Sequence, residues 1–449
     1  MYNKTPPSDD LSRDAARAAP RPQTLAATGL PATFLGDLVE KHLFEGGVLS
    51  MRELVSRTAL SGRLLEELLG FLRQEGRIEV RAQHGDNQGL GYALTERGRG
   101  SAMASLMASG YVGPTPVPLD YYNQVVLTQS VRGRNVTRER MFAAFEDTVL
   151  DPALLDRLGP AMNSGKAIFV YGPPGTGKTF ITQRLARLFD DTCLIPHAIA
   201  IGDTVVRVFD PSVHRQCQEI SPIVMLTRGH DPRYVLCLRP LVITGGELTA
   251  DMLEVQFDPA TRQYRAPVQV KANGGMLILD DLGRQRIPPT TVLNRWILPM
   301  EEGVDYLSMN TGQHFRTPFD VILVFSTNLQ PRELVDDAFL RRIGYKIGFQ
   351  PLDPQQYHLI WQRACEARSV RYDAALCQFM IDSLYTPNNT PLLPCHPRDL
   401  IGMALDRSIY LEDRAGLSTG ALQWAWDNYF VTTPGSDNDA AAELRSTQS

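Results

Sequence analysis

The chain has 449 residues, 43% of them hydrophobic and 21% charged, with a formal net charge of −5 and a pI near 6.0. That length suggests two to four domains with cores to bury, and the overall charge calls for neither nucleic acid nor an anionic membrane, although it leaves room for a local basic face. No apolar run reaches membrane-span length, the first residues lack the apolar stretch of a secretion signal, and the six cysteines form no C-x-x-C pair, so reduced thiols and a cytoplasmic protein are expected.

Residues 1–30 are polar, rich in Ala and Pro and without periodicity, which predicts a disordered tail; residues 433–449 read the same way. Between them the first patterned stretch is 31–110. Phe34, Leu35, Leu38, Val39 and Leu43 mark a helix closed by Gly46-Gly47. Ser50 is placed to cap a second helix, and Ser61 a third carrying Leu64, Leu65, Leu68, Leu69 and Leu72, ended by Gly76. Ile78–Val80 and Tyr92–Thr95 alternate around a Gly/Asp/Asn loop, as a hairpin does. Three helices and a hairpin, with the ending Gly-Tyr-Ala-Leu-Thr-Glu-Arg-Gly, resemble a winged-helix domain. Many such domains read DNA with the third helix, but here Arg63 and Arg73 share that helix with Glu66, Glu67 and Glu75, which repel phosphates. A protein-docking role is favoured; Arg77, Arg81, Arg97 and Arg99 around the wing keep DNA open as a partner.

Gly113-Pro114-Thr115-Pro116-Val117-Pro118 reads as a stiff linker over 111–119. Residues 120–160 look helical, and Arg132-Gly133-Arg134-Asn135 reads as a solvated basic turn. Then comes an apolar run, Ala167–Tyr171, followed by Gly172-Pro173-Pro174-Gly175-Thr176-Gly177-Lys178-Thr179 and a helical pattern through Leu188. Strand, glycine loop and helix in that order make a phosphate cradle. The glycines allow a tight turn that points N–H groups at an anion, and the helix adds its positive end. Lys178 supplies charge for the terminal phosphates of a bound nucleotide, and the Thr179 hydroxyl is placed to ligate Mg²⁺.

The interval 190–272 holds strand-like runs and a candidate hairpin, Leu253–Phe257 with Tyr264–Val270. His197, His214 and His230 show no metal-ligand spacing. Gly274–Leu279 is a buried strand ending in Asp280-Asp281-Leu282-Gly283. Thr290–Glu302 patterns as a helix, and Val321–Thr327 is a second buried strand ending in Asn328. Asp336–Ile343 carries the pair Arg341-Arg342, and residues 351–432 read as a helical bundle with His396-Pro397-Arg398 opening one helix.

These motifs together resemble the AAA+ ATPases over residues 120–430. The Pro318–Asn328 stretch is similar to MoxR-type members, and Asp-Asp-Leu-Gly to the DnaC/IstB group. The resemblance implies an α/β P-loop NTPase fold, a three-layer sandwich on a parallel sheet over 120–350, with a C-terminal helical lid over 351–432 and the winged helix in front. It implies that Asp280 holds Mg²⁺, that Asp281 stands where most members have a glutamate activating the lytic water, and that Asn328 is the sensor that orients that water. It implies an arginine finger, with Arg342 preferred and Arg341 next, acting on a neighbour's nucleotide, and it matches Arg398 to the lid sensor. The active form is then a homo-oligomeric ring, a hexamer being the expected size. The expected function is ATP hydrolysis coupled to remodelling or assembly of a protein recruited by the winged helix. The alternatives are a DNA-associated ATPase of the helicase-loader or transposition-regulator type, and a nucleotide-gated scaffold with very slow turnover, since aspartate at 281 is one methylene shorter than glutamate.

Overall fold

The computed structural model describes residues 15–83, 89–217, 229–334, 337–412 and 416–430. The chain divides into two compact units: Met1–Ala144, Asp156–Tyr171 and Ile181–Ile347 form the first, and Phe145–Leu155, Gly172–Phe180 and Gly348–Ser449 the second. The expected boundary near 350 is therefore crossed by the glycine loop, which belongs with the C-terminal helices.

Within the first unit, residues 15–30 are not the expected tail. Ala15 and Ala19 are buried, Ala26–Thr28 forms a 3₁₀ turn, the Asp231 N–H donates to Ala19 O at 2.8 Å, and Arg233 Nη1 donates to Thr28 O at 2.9 Å. A guanidinium buried at 1% exposure needs acceptors, and this segment's carbonyls supply one. Residues 1–14 and 431–449, assigned in large part to tails, lie outside the described residues.

The helix Ala32–Gly46 ends at Gly47, whose φ of 73° suits glycine. β1 (Leu49–Ser50) leads into the helix Met51–Thr58, closed at its start by a reciprocal Ser50–Glu53 capping box. The helix Gly62–Gln74 follows; Ser61 occupies its N-cap without a side-chain bond to the helix. β2 (Ile78–Gln83) and β3 (Gly89–Leu94) complete an antiparallel sheet in the order β1-β3-β2. The three helices and hairpin stand as expected around Leu35, Leu43, Leu54, Leu65, Leu68 and Leu72. A further helix, Glu96–Ala108, was missed, because its small residues give no apolar stripe.

The expected linker is part of a sheet. β4 (Val117–Pro118) pairs parallel with the later strand Ala198–Ile201, Thr115 and Val117 are fully buried, and Tyr111 Oη donates to Pro114 O at 2.6 Å. β4 is an edge strand, where proline's missing donor costs nothing. Arg132 and Arg134 are likewise not a solvated turn: Arg132 Nη2 donates to Phe319 O and Arg134 pairs with Asp191.

β5 (Ile168–Tyr171) precedes the glycine loop. β6 (Thr192–Pro196), β7 (Ala198–Ile201), β8 (Thr204–Arg207) and β9 (Tyr234–Leu238) follow, then β10 (Leu241–Thr244). The candidate hairpin is β11 (Gln256–Asp258) and β12 (Gln263–Arg265); beyond it Val268–Lys271 is helical rather than extended. This hairpin edges a five-stranded sheet, β11-β12-β8-β7-β4, and at its tip Arg262 Nη1 donates to Met107 O. The sheet shares a core with the β6–β9 ladder, including Val117, Ile195, Ile199, Val206, Tyr234 and Val270.

β13 (Gly275–Leu279), the hairpin β14 (Val304–Ser308) and β15 (His314–Pro318), β16 (Val321–Thr327) and β17 (Tyr345–Gly348) complete the strands. The main sheet runs β10-β13-β16-β5-β17, with the four strands from β10 to β5 parallel. β13 and β16 are buried at every position, as continuous apolar runs in a covered parallel sheet must be. Phe169, Leu277, Leu279, Leu323 and Phe325 share a core with Val292, Leu293 and Trp296 of the helix Pro289–Glu302. The alternate residues Ile168, Val170, Met276, Ile278, Ile322 and Val324 are buried on the opposite face. The fold is α/β, with a P-loop strand inside the sheet.

The second unit is the expected helical one. Pro354–Ala367 starts with an Asp353–Gln356 capping box, Ala374–Phe379 runs into a π-turn Met380–Tyr385, and Cys395–Tyr410 and Thr419–Tyr429 follow. Tyr357, Trp361, Tyr385, Leu400, Leu422 and Trp426 form its core.

Candidate nucleotide site

The glycine loop turns through conformations that side chains avoid: φ is 147° at Gly172, 81° at Gly175 and 85° at Gly177. Close approach fixes two of them further. A Cβ at Gly172 would run into Phe349 O, and one at Gly175 would lie 2.7 Å from Cys395 Sγ. Thr176 Oγ1 donates to Pro173 O at 2.8 Å, and Lys178 Nζ donates to Gly172 O and Pro173 O, both at 2.8 Å. The ammonium is buried and held across the loop, while Pro173, Pro174 and Gly175 remain exposed. Lys178 opens the helix Lys178–Leu185, with Thr179 next in its first turn. A loop of this shape binds an anion through main-chain N–H groups and one mobile cation.

In the same unit, the helix carrying Arg398 meets this loop through Cys395. Arg398 lies three residues on, so the two share a helical face. Its side chain is 74% exposed and its Nε donates to Asp399 Oδ1 at 2.9 Å.

The paired carboxylates lie in the first unit, at the carboxyl end of β13. The Asp280 N–H donates to Thr244 O on β10. The chain then turns sharply: Asp281 has φ 50°, a left-handed conformation that aspartate tolerates better than most residues. The Leu282 N–H donates to Ser326 O at 2.7 Å, and Thr327 Oγ1 donates to Leu282 O at 2.8 Å, fastening the turn to β16. Asn328, one residue past β16, donates through Nδ2 to Asp281 Oδ1 at 3.0 Å. Asp280, Asp281 and Asn328 are thus gathered at one end of the parallel sheet, the end where open α/β sheets bind ligands. Gln285 also enters this cluster. No spacing rule pointed to it.

The helix Asp337–Arg342 presents the two candidate fingers. Phe339, Leu340 and Ile343 anchor it in the core, with the Phe339 ring edge-on to Phe325 at 6.2 Å. Arg342 Nε donates to Glu301 Oε1 at 2.6 Å within its own protomer. Arg341 is exposed and makes no ion pair among the described residues. Asp336, at the head of this motif, lies outside them.

The three histidines of the 190–272 interval are structural. His214 Nδ1 accepts from the Asp210 N–H and its Nε2 bonds Lys271 O, His230 Nε2 bonds Tyr234 O, and burial pushes His197 down to about 4. Among the described residues no group of three or more His, Cys, Asp or Glu side chains is arranged to hold a metal. No described helix is long and apolar enough to cross a membrane.

Residues 353–428 match a family described as Domain of unknown function (DUF8689). No curated protein matches the chain. Similar solved structures include the RuvB Holliday junction branch migration motor of Thermotoga maritima, 14% identical over 69% of this chain and 74% of that one, with a TM-score of 0.33. NtrX from Brucella abortus is 10% identical over 70% and 59%, with a TM-score of 0.40. Domain III of the Thermotoga maritima replication initiation protein DnaA is 13% identical over 64% and 97%, with a TM-score of 0.36.

Proposed function

We propose that this chain is a Mg²⁺-dependent ATPase of the AAA+ kind that acts as an oligomer and remodels or assembles a protein partner. The observation that carries the reading is the 3.0 Å bond between Asn328 and Asp281. It joins the two residues whose motifs assign them to water activation, at the sheet end where such chemistry occurs. Lys178 and the loop N–H groups bind the phosphates. Thr179 and Asp280 would hold Mg²⁺, which would neutralise charge on the phosphates. Asp281 accepts a proton from the lytic water while Asn328 fixes that water's orientation. Arg398 contacts the nucleotide from the helical unit. Arg341, with Arg342 beside it, completes a neighbouring protomer's site, where a guanidinium offsets transition-state charge.

The N-terminal module supports a protein partner over DNA, because the exposed side of its third helix mixes Arg63 and Arg73 with Glu66 and Glu67. The test is phosphate release by the full chain. Lys178→Ala and Asp281→Asn should each abolish turnover, and hydrolysis that survives both would overturn the reading. A titration with duplex and single-stranded DNA at two salt concentrations tests the partner: tight, salt-dependent binding would replace protein with DNA.

A further inference from the structure

We propose that Gln285 is a positioning residue for the general base, a role that rests on the reading of Asp281 given above. Gln285 Nε2 donates to Asp280 O at 2.9 Å and to Asp281 O at 3.2 Å, while its Oε1 accepts from the Gly283 N–H at 2.8 Å. One carboxamide therefore closes the turn on itself with three bonds, using its donor and acceptor ends at once.

The turn needs such a brace. Asp280 is fixed to β10 through its N–H and Leu282 to β16 through its N–H and carbonyl, so both flanks of Asp281 are tied to the sheet. Asp281 itself sits at φ 50° and Gly283 at φ 110°, conformations that a free loop would leave for commoner ones. Beyond those ties, Asp280 O accepts from Gln285 Nε2, and Asp281 O accepts both from Gln285 Nε2 and from the backbone of the turn. The side chains of Arg284 and Arg286, on either side of Gln285, are exposed, and only the Arg284 main chain joins the turn, through its N–H to Asp281 O at 3.0 Å. Gln285 touches no reacting atom in this scheme. Its effect is to hold the Asp281 carboxylate where Asn328 meets it.

The test uses full-length Gln285→Met and Gln285→Glu, assayed beside Asp281→Asn. Methionine keeps the length and removes all three bonds. Glutamate keeps the acceptor for Gly283 but loses both donors. Both variants should lower kcat about tenfold or more, the factor expected when a catalytic group loses its alignment. Their KM for ATP and their affinity for a fluorescent ATP analogue should stay within about twofold of wild type, since the phosphate loop is untouched. A kcat near the wild-type value in both variants, with Asp281→Asn inactive, overturns the role of Gln285 and leaves Asp281 as the base. Wild-type turnover in Asp281→Asn overturns the base assignment itself and the brace with it. A rate loss that merely tracks the folded fraction, followed by circular dichroism, also overturns the proposal.

Discussion

Asn328 and Asp281 come from different strands, β16 and β13, and meet at 3.0 Å where both strands end. A carboxylate can only accept, so the amide must present its nitrogen, and that choice fixes the orientation of the whole side chain. Removing the amide should therefore act on the chemical step. Asn328→Ala should lower kcat by about 10²–10³, the usual cost of losing one preorganised donor, while nucleotide affinity holds. Asn328→Asp should do worse at neutral pH. It sets two carboxyl groups within hydrogen-bond range, so one of them must take up a proton. Steady-state phosphate release and equilibrium binding of a fluorescent nucleotide separate the two effects.

The two candidate fingers should behave differently. Arg342 is held by Glu301 at 2.6 Å, whereas Arg341 on the same short helix is exposed and makes no described ion pair. Arg341→Ala should abolish most turnover and Arg342→Ala should lower it less, the reverse of the order expected from the motif alone. Action in trans has its own signature. Mixing inactive Arg341→Ala protomers with inactive Lys178→Ala protomers should restore part of the activity, because each supplies what the other lacks. Mixtures that stay inactive, with assembly confirmed by light scattering, would place the arginine's effect within one protomer.

Much of this arrangement could be read from the sequence, and the exceptions share a cause. The glycine loop, the strands ending at Asp280 and Asn328 and the helix cap at Ser50 are local patterns whose physics acts over a few residues. The ordered segment 15–30 left no such mark. It is held by Arg233, more than 200 residues away, and a polar Ala/Pro-rich stretch looks the same whether or not a distant guanidinium binds it. Pro114–Pro118 misled for a related reason, since proline suits both a linker and an edge strand. Gln285 was illegible because a lone glutamine in a glycine-containing loop has no spacing signature. Its role exists only once Asp280 and Asp281 have turned toward it.

The helical unit should lose stability in mild acid through His396. Burial pushes this imidazole down to about 4, with Asp399 pulling weakly the other way. It is enclosed by the rings of Tyr385, Tyr429 and Phe430, and its Nδ1 has no hydrogen-bond partner among the described residues. Above about pH 6.5 folded and unfolded chains are both neutral there. Between that pH and about 4 the unfolded chain takes up a proton that the folded one refuses, so stability falls as pH drops. The slope is roughly 1.4 kcal/mol per pH unit, or about 2 kcal/mol between pH 6.5 and 5. His396→Phe suits the aromatic surroundings and should flatten that part of a melting-temperature profile. An unchanged slope would assign the acid sensitivity to other groups, such as His197.

The N-terminal segment should detach when Arg233 is removed. Its guanidinium is bonded through Nη2 and Nε to Asp231 Oδ2, at 2.8 and 2.9 Å, and through Nη1 to Thr28 O at 2.9 Å, all at about 1% exposure. Arg233→Met leaves the Asp231 carboxylate buried without its counter-charge and Thr28 O without its donor. Breaking a buried pair from one side costs about 3–5 kcal/mol. Because the Asp231 N–H also donates to Ala19 O, the damage should spread along residues 15–30. Limited trypsin digestion reads this directly, with cleavage after Arg17 accelerating in Arg233→Met. Adding Asp231→Asn removes the stranded charge, so the double variant should be more stable than the sum of the single losses predicts. Strict additivity would mean that the ion pair does not hold the segment, and the carbonyl contacts at Ala19 and Thr28 would then carry it alone.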